Sequence, residues 1–143
     1  MKIFNDRHGK ALRSLDWKLY GAPMRVRAIR GATQLVADEP LEMASAVTEL
    51  LSEIFEKNAI AKVDLVSILF TATEDLICDF PAAAARKLDL GDIPLICARE
   101  IPVPGSLPRV VRVMVHAYSE KEHSEIRHIY TRGAEALRRD IAQ

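Results

Sequence analysis

Long apolar runs and cysteines are scarce in this sequence. Its 143 residues include no stretch near the roughly 18 consecutive apolar residues that a membrane-spanning helix needs. The two cysteines, Cys78 and Cys97, lack a Cys-x-x-Cys spacing and are surrounded by apolar residues. This usage is typical of reduced thiols in a cytoplasmic protein, so we expect that location, no membrane span and no disulfide staple.

Motifs for metals, cofactors and covalent catalysis are also missing. The four histidines show no metal-ligand spacing, and the only Gly-Ser pair lies in a proline-rich turn without the pattern of a phosphate-binding loop. Cys97 and His116 could imitate a nucleophile pair, but no orienting pattern accompanies them, and a packed thiol is the better interpretation. The sequence therefore predicts no metal and no cofactor.

Charge of one sign does not dominate, since 20 basic residues balance 20 acidic ones. The first 23 residues carry a net charge of +3 and the remainder carries −3. An acidic body does not suit nucleic acid, whose phosphates require a basic face. Of the basic residues, 13 are arginine, whose planar fork suits carboxylates, so we expect individual arginines to bind any anion.

The sequence becomes regular at Met24, which divides the chain into an N-terminal extension, residues 1–23, and one domain, residues 24–143. The extension contains Trp17, Leu19 and Tyr20. Three interpretations of it stay open: an arm packed on the domain, a mobile segment, or residues upstream of a start at Met24. It lacks the continuous apolar stretch and the cleavage site of a secretory signal.

Apolar periodicity predicts alternating strands and helices in the domain. The first strand ends at Gly31, and a later segment, residues 126–131, reads as a strand that runs into helix-favouring residues. Between them we predict a helix over 40–57, a strand over 63–71, a short helix from Pro81, a strand over 93–101 and a strand over 108–118. This order favours an α+β (α/β-type) domain with a mixed sheet and packed helices.

One arginine, Arg112, interrupts the apolar strand over residues 108–118. It shares a face with apolar side chains, where an unpaired desolvated charge would be costly. An ion pair with a carboxylate such as Glu100 would offset that cost, and so would an anionic or oxygen-rich ligand. Arg30 repeats the pattern on the first strand, which shifts the balance towards a ligand.

The segments RAIRGAT, TATEDL, FPAAAAR, CAREIPVPGSLPRVVRVMVH and IRHIY occur in this order between about Met24 and Leu137. Together they resemble the AroH class of monofunctional chorismate mutases, the small bacterial type. The resemblance implies a homotrimeric pseudo-α/β barrel with active sites between neighbouring subunits. It also implies conversion of chorismate to prephenate, on the route to phenylalanine and tyrosine, without a cofactor.

The resemblance implies which residues contact the substrate. One wall of each site is expected to consist of Phe80, Ala82 and Arg86 of one subunit. The opposite wall is expected to come from the next subunit, with Arg112, Glu100 and Arg30 as catalytic residues, Cys97 and Tyr130 as binding residues, and tail contacts from Leu137 and Arg138.

Two departures from the family and two rival functions stay open at this point. Some relatives have a lysine at the position of Ala83, so we assign no charged role there, and the tail lacks a proline that some relatives have after the position of Arg138. The resemblance implies a strand in this tail although propensity favours helix, and we follow the resemblance. The rivals are an imine deaminase-like enzyme on the same fold and a non-catalytic metabolite-binding regulator.

Overall fold

The structure, a computed structural model, describes residues 23–137. These residues form five strands, two α-helices and three short 3-10 turns. The regular elements are β1 (Arg25–Gln34), α1 (Pro40–Asn58), β2 (Leu65–Ala72), α2 (Pro81–Arg86), β3 (Leu95–Arg99), β4 (Val110–Ser119) and β5 (Ile129–Thr131). The α+β class predicted from the sequence is confirmed.

The strands form one mixed sheet in the order β3-β2-β4-β1-β5. The central strand β4 runs antiparallel to both of its neighbours, β1 and β2. The outer strands β3 and β5 run parallel to β2 and β1 respectively. The longest strand pairing, ten residue pairs between β1 and β4, extends β1 three residues beyond the predicted end at Gly31.

Helix α1 covers one face of this sheet. Pro40 stands at its first turn, where a missing N–H is tolerated, and the Glu42 carboxylate accepts a hydrogen bond from the Ala37 N–H at 3.1 Å, which closes the preceding loop. Its apolar stripe is fully buried against the sheet, including Val47, Leu51 and Ile54. The helix and the face beneath it make the main core.

Gly31 allows the close approach of α1 to β1. A methyl group on its Cα would lie 2.8 Å from Cδ1 of Ile54, 3.0 Å from Cγ1 of Val113 and 3.1 Å from the carbonyl oxygen of Ile129. These distances are below ordinary van der Waals contact, so only glycine fits without a shift of its neighbours. This close packing restrains the backbone of β1 at Gly31, the residue that follows Arg30.

The opposite face of the sheet, which we call the open face, has a different character. Four large apolar side chains on it are exposed by 37% to 62% of their surfaces: Val26, Leu69, Ile96 and Tyr118. The strand register places them in two pairs, Val26 with Tyr118 and Leu69 with Ile96. An exposed apolar surface of this kind is typical of a face that binds another molecule.

The C-terminal part of the domain differs from the prediction. In place of the strand implied for the tail, Ala134–Leu137 form a 3-10 turn. Arg138 and the predicted N-terminal extension, apart from Pro23, lie outside the described residues. No helix within residues 23–137 is long and apolar enough to cross a membrane.

Candidate active site

A row of side chains crosses all five strands on the open face. Arg112 on β4 lies opposite Ala32 on β1 and opposite Thr71 on β2. Ala32 in turn pairs with Tyr130 on β5, and Thr71 pairs with Ala98 on β3. Since directly paired residues point to the same side of a sheet, all five side chains share this face.

Arg30 lies on the same face, two residues before Ala32 along β1, and pairs with Met114. A cavity of about 260 Å³ opens between these rows. Its lining combines two guanidinium groups and a phenol with apolar atoms: Arg30, Gly31, Leu69, Thr71, Arg112, Val113, Met114 and Tyr130. The sequence therefore predicted correctly that Arg30 and Arg112 point into a shared, largely apolar site.

Glu100 and Arg112 form an ion pair, with 3.4 Å between Oε1 of the carboxylate and Nε of the guanidinium. The Arg112 side chain is 49% exposed and that of Glu100 is 19% exposed. Within one chain, the Arg112 side chain is thus more exposed than we expected from the apolar residues around it in the sequence. Because the pair uses Nε, the two terminal nitrogens of Arg112 lie beyond this contact and can meet a ligand.

Glu100 is not part of the lining of the arginine cavity, but it contacts two residues that are, Thr71 and Arg112. It lines a neighbouring cleft of about 360 Å³ together with residues 73–75 and 101–108. Its backbone N–H donates to the carbonyl of Ala72 at 2.9 Å, and its carboxylate Oε1 accepts a hydrogen bond from the hydroxyl of Thr71. The carboxylate is therefore fixed at the junction of the two spaces.

Two polar contacts hold the segment that leads into Tyr130. The backbone N–H of Arg30 donates to Nδ1 of His128 at 3.0 Å. The buried side chain of Asn58, at the end of α1, accepts from the N–H of Arg127 at 2.8 Å and donates to the carbonyl of the same residue at 2.9 Å. Sequence reasoning did not assign these roles to Asn58 and His128, because each contact spans dozens of residues and depends on tertiary register.

Cys97 does not lie with the arginines, and its predicted placement on their wall was wrong. It pairs with Phe70, which is fully buried on the helix-covered face, so its thiol points to the side opposite Arg112. There it lines another cavity of about 440 Å³ together with Phe80, Pro81 and Cys78. Within one chain, Cys97 therefore groups with Phe80.

Of the remaining residues implied by the resemblance, some lie near α2 and one lies near the arginines. Phe80 is 71% exposed, and Arg86 is exposed at the end of α2. Ala82 is buried in the main core and lines neither cavity of the single chain, so its predicted contact with a pocket between subunits stays a prediction. Leu137 packs on a small cluster with Tyr130, Ala32 and Val110 at the border of the arginine site.

The loop before Phe80 is held by one carboxylate. Asp38 accepts hydrogen bonds from the backbone N–H groups of Ile77 at 3.1 Å and Cys78 at 3.0 Å. The Cys78 thiol and then these N–H groups hold the pKa of the Asp38 carboxyl below its ordinary value. Burial and then the nearby Asp38 carboxylate raise the pKa of the Cys78 thiol to about 11, so it is protonated at neutral pH.

The chemistry available at the arginine site is that of anion binding. Arg30 and Arg112 present two permanent cations, Tyr130 a phenol and Glu100 a carboxylate, around an apolar floor. No group of three or more His, Cys, Asp and Glu side chains in the described part of the chain could hold a metal ion. The fold and the site thus define an α+β protein with a cavity on the open face of its sheet that suits a small anion.

Comparison with known proteins identifies the family. The sequence profile "Chorismate mutase type I" matches residues 26–141. The chorismate mutase AroH of Thermus thermophilus is 44% identical over 117 residues, which cover 81% of this chain and 96% of that protein. The chorismate mutase AroH of Bacillus subtilis is 36% identical over 120 residues, which cover 83% and 94%.

A solved structure supports the same conclusion. The chorismate mutase from Clostridium thermocellum matches with a TM-score of 0.76 at 42% identity, over 78% of this chain and 99% of that one. This chain belongs to the type I chorismate mutase family, and the resemblance drawn from its motifs is confirmed.

Proposed function

We infer that the chain is a chorismate mutase, an isomerase that converts chorismate to prephenate in the biosynthesis of phenylalanine and tyrosine. The observation that carries this inference is the pair Arg30 and Arg112 on one face of the sheet, over an apolar floor, in a member of this family. Chorismate is a dianion, and its rearrangement is a concerted pericyclic shift in which a C–O bond breaks as a C–C bond forms. The reaction requires neither a nucleophile nor a proton transfer, so binding and charge placement supply the catalysis.

Arg112 is assigned to the ether oxygen of the breaking bond and to one substrate carboxylate. Negative charge grows on that oxygen as the C–O bond lengthens, and a fixed cation stabilises it more in the transition state than in the ground state. The terminal nitrogens of Arg112 are available for this because the contact with Glu100 uses Nε. The ion pair also restricts the guanidinium before the substrate arrives.

Arg30 and Tyr130 are assigned to the carboxylate of the enolpyruvyl side chain. Both line the same cavity as Arg112, and the segment containing Tyr130 is attached to β1 by the contact between His128 and the Arg30 backbone. Holding this carboxylate places the side chain over the ring and removes rotational freedom before the reaction begins. Leu137 and Arg138 are proposed to close the site from the tail, which Leu137 supports by packing beside Tyr130.

Glu100 is assigned to the hydroxyl group of the ring. Its Oε1 is held by Thr71 and Arg112 at the edge of the cavity, which leaves Oε2 to accept a hydrogen bond from the substrate. A carboxylate at this position also faces the ring as positive character develops there in the transition state. Its ion pair with Arg112 and its role towards the substrate are therefore compatible.

We propose a homotrimer in which each site lies between two subunits. Phe80 and Cys97 lie on the face of the sheet opposite Arg112, and Arg86 lies at the end of α2, so one chain cannot place them around the same ligand as the arginines. The exposed apolar residues of the open face offer a surface for the neighbouring subunit. In this arrangement that neighbour supplies Phe80, Ala82, Cys97 and Arg86, and Arg86 adds a further cation.

The proposed catalytic domain comprises residues 24–143, with residues 1–23 as an extension, because the family match begins at residue 26. We propose a cytoplasmic location on the basis of two free thiols, Cys78 and Cys97, neither of which is paired in a disulfide. Nucleic acid and membranes are not among the proposed partners, which are chorismate, prephenate and two further copies of the chain.

The test is the loss of chorismate ultraviolet absorbance with purified protein and no added metal or cofactor. Prephenate is identified as the product by its acid-catalysed conversion to phenylpyruvate, and the assembly is measured by light scattering. We expect turnover by a trimer. A folded trimer that binds chorismate without converting it would support the regulator instead, and hydrolysis of a small imino acid would support the deaminase.

A further inference from the structure

A threonine hydroxyl holds the site carboxylate in place. Thr71 lies on β2, and its hydroxyl donates a hydrogen bond to Oε1 of Glu100. The same Oε1 is the atom that approaches Nε of Arg112 at 3.4 Å. Thr71 itself lines the cavity that contains Arg30, Arg112 and Tyr130. One oxygen of Glu100 is therefore engaged by two groups of the chain, from two different strands.

The position of Thr71 in the sheet explains how it can do this. It pairs with Arg112 on β4 at one side and with Ala98 on β3 at the other, so it stands between the strand that carries the cation and the strand that leads into Glu100. The next residue of β2, Ala72, accepts the backbone N–H of Glu100 at 2.9 Å. Consecutive residues of β2 thus hold both the backbone and the carboxylate of Glu100, which begins a loop directly after β3 ends.

We propose that Thr71 is a positioning residue that acts through Glu100, and this rests on the proposed function. With the hydroxyl in place, Oε1 is shared between Thr71 and Arg112, and Oε2 faces the substrate. Without it, the carboxylate is free to turn towards the guanidinium of Arg112, which favours two-point contact with a carboxylate. The loss would then act twice: Oε2 would leave the substrate hydroxyl, and the terminal nitrogens of Arg112 would be occupied.

Threonine suits this role for two reasons. Its β-branched side chain has few χ1 rotamers in a strand, so the hydroxyl direction is fixed at low entropic cost. A hydroxyl donor also satisfies the carboxylate without adding charge beside Arg30 and Arg112, whereas a lysine or arginine at the same position would compete with the substrate for Glu100. Valine has the same shape without the donor, so Thr71→Val removes the contact and little else.

The test is a double-mutant cycle on kcat/KM with Thr71→Val, Glu100→Ala and the two combined. We expect Thr71→Val to lower kcat/KM by roughly 10- to 100-fold, the size expected for one hydrogen bond to a charged group. In the Glu100→Ala background the same change is expected to have no effect beyond about twofold, because the group through which it acts is absent. Thr71→Ser retains the donor and is expected to restore activity to near that of the wild type.

A matched control is Thr33→Val, which removes a hydroxyl from strand β1, on the far side of β4 from Thr71. The Oγ1 atom of Thr33 is buried on the helix-covered face and makes no hydrogen bond within the described residues. We expect this variant to keep wild-type kcat and KM. It reports what an isosteric loss of a strand hydroxyl does to folding and assembly alone, and circular dichroism of all variants verifies that they fold.

Each outcome decides the question. Equal losses from Thr71→Val in the presence and absence of the Glu100 carboxylate would show that Thr71 does not act through it and would overturn the inference, while leaving the proposed function intact. Wild-type activity in Thr71→Val would do the same. If Thr71→Val fails to fold, Thr71→Ala and Thr71→Ser complete the comparison, with the serine variant alone expected to be active. An inactive wild-type trimer would overturn the proposed function itself.

Discussion

Arg112 and Tyr130 flank Ala32 on the open face of the sheet, one strand to either side. Ala32 is fully buried, and the arginine and the tyrosine on either side of it both line the same cavity. A carboxylate that enters this cavity can meet the guanidinium of one and the hydroxyl of the other. The geometry is set by strand register, so it exists before the substrate binds.

We expect Arg112→Ala to lower kcat by at least about 100-fold, in line with the loss of a preorganised donor to a developing oxyanion. The measurement is chorismate consumption at saturating substrate. Arg25→Ala is the matched control, because Arg25 is an arginine of β1 that forms an exposed ion pair with Glu122 at 3.3 Å and lines none of the cavities described above. Near-normal turnover in Arg112→Ala would remove this residue from the mechanism.

Mixing inactive chains tests whether the sites are shared between subunits. If Arg86 and Arg112 reach one site from different chains, trimers reassembled from equal amounts of Arg86→Ala and Arg112→Ala regain about a quarter of their sites, since each wall is drawn at random. The mixture of Arg30→Ala with Arg112→Ala is the control. Both of these residues lie on one wall, so every such wall carries one lesion and no activity is expected to return.

Reassembly that restores no activity in the first mixture would place Arg86 and Arg112 on the same chain, provided that chain exchange is verified by a mass difference between the variants. Recovery in both mixtures would contradict the shared wall of Arg30 and Arg112. The pattern across the two mixtures therefore tests the assignment of walls independently of the size of any single mutational effect.

Alternating polarity was enough to place Arg112 and Arg30 on one face, because β1 and β4 are long strands with regular burial. Alternation did not place Cys97: the resemblance assigned it to the arginine wall, and the five residues of the edge strand β3 are too short a segment, with partly exposed side chains on both faces, to test that assignment. The contact between Thr71 and Glu100 could not be predicted from alternating polarity either. That contact depends on which strand lies beside β2, and sequence spacing does not encode this neighbour.

The division of residues between walls could be inferred from the sequence only through the family resemblance. Phe80 and Arg86 stand at the two ends of α2. Whether they lie near Arg112 therefore depends on the face of the sheet against which α2 packs. Alternation distinguishes two faces of a sheet but does not say which face the helices cover. Here α1 covers the face that carries Gly31 and Val113, and the arginines remain on the other.

The carboxylate of Asp38 is expected to make part of the stability of this protein depend on pH. Hydrogen bonding by the Cys78 thiol and by the N–H groups of Cys78 and Ile77 lowers the pKa of Asp38 from 3.8. A group whose pKa is lower in the folded state contributes stability above its unfolded pKa and loses it as the pH falls through the folded value. The Tm difference between the wild type and Asp38→Asn is therefore expected to be present at pH 7 and to shrink below pH 3.8.

Thermal melts of both proteins across this pH range provide the measurement, and the other carboxylates largely cancel in the difference. A Tm difference that widens on acidification would contradict the assigned sign. A difference that stays constant would show that the Asp38 carboxylate holds the loop before Phe80 equally well when protonated.

Gly31→Ala is expected to destabilise the protein by about 1 to 3 kcal/mol, the usual cost of overfilling a packed core. The added methyl group would lie 2.8 Å from Cδ1 of Ile54, so α1 or β1 has to move. Ile54→Val removes that Cδ1 atom and on its own costs about 0.5 to 1.5 kcal/mol through the space it leaves. If this contact dominates, the double variant is less destabilised than the sum of the two single changes. Urea unfolding of the four proteins measures this coupling, and strict additivity would assign the strain instead to Val113 or to the carbonyl of Ile129, which lie 3.0 Å and 3.1 Å from the added methyl.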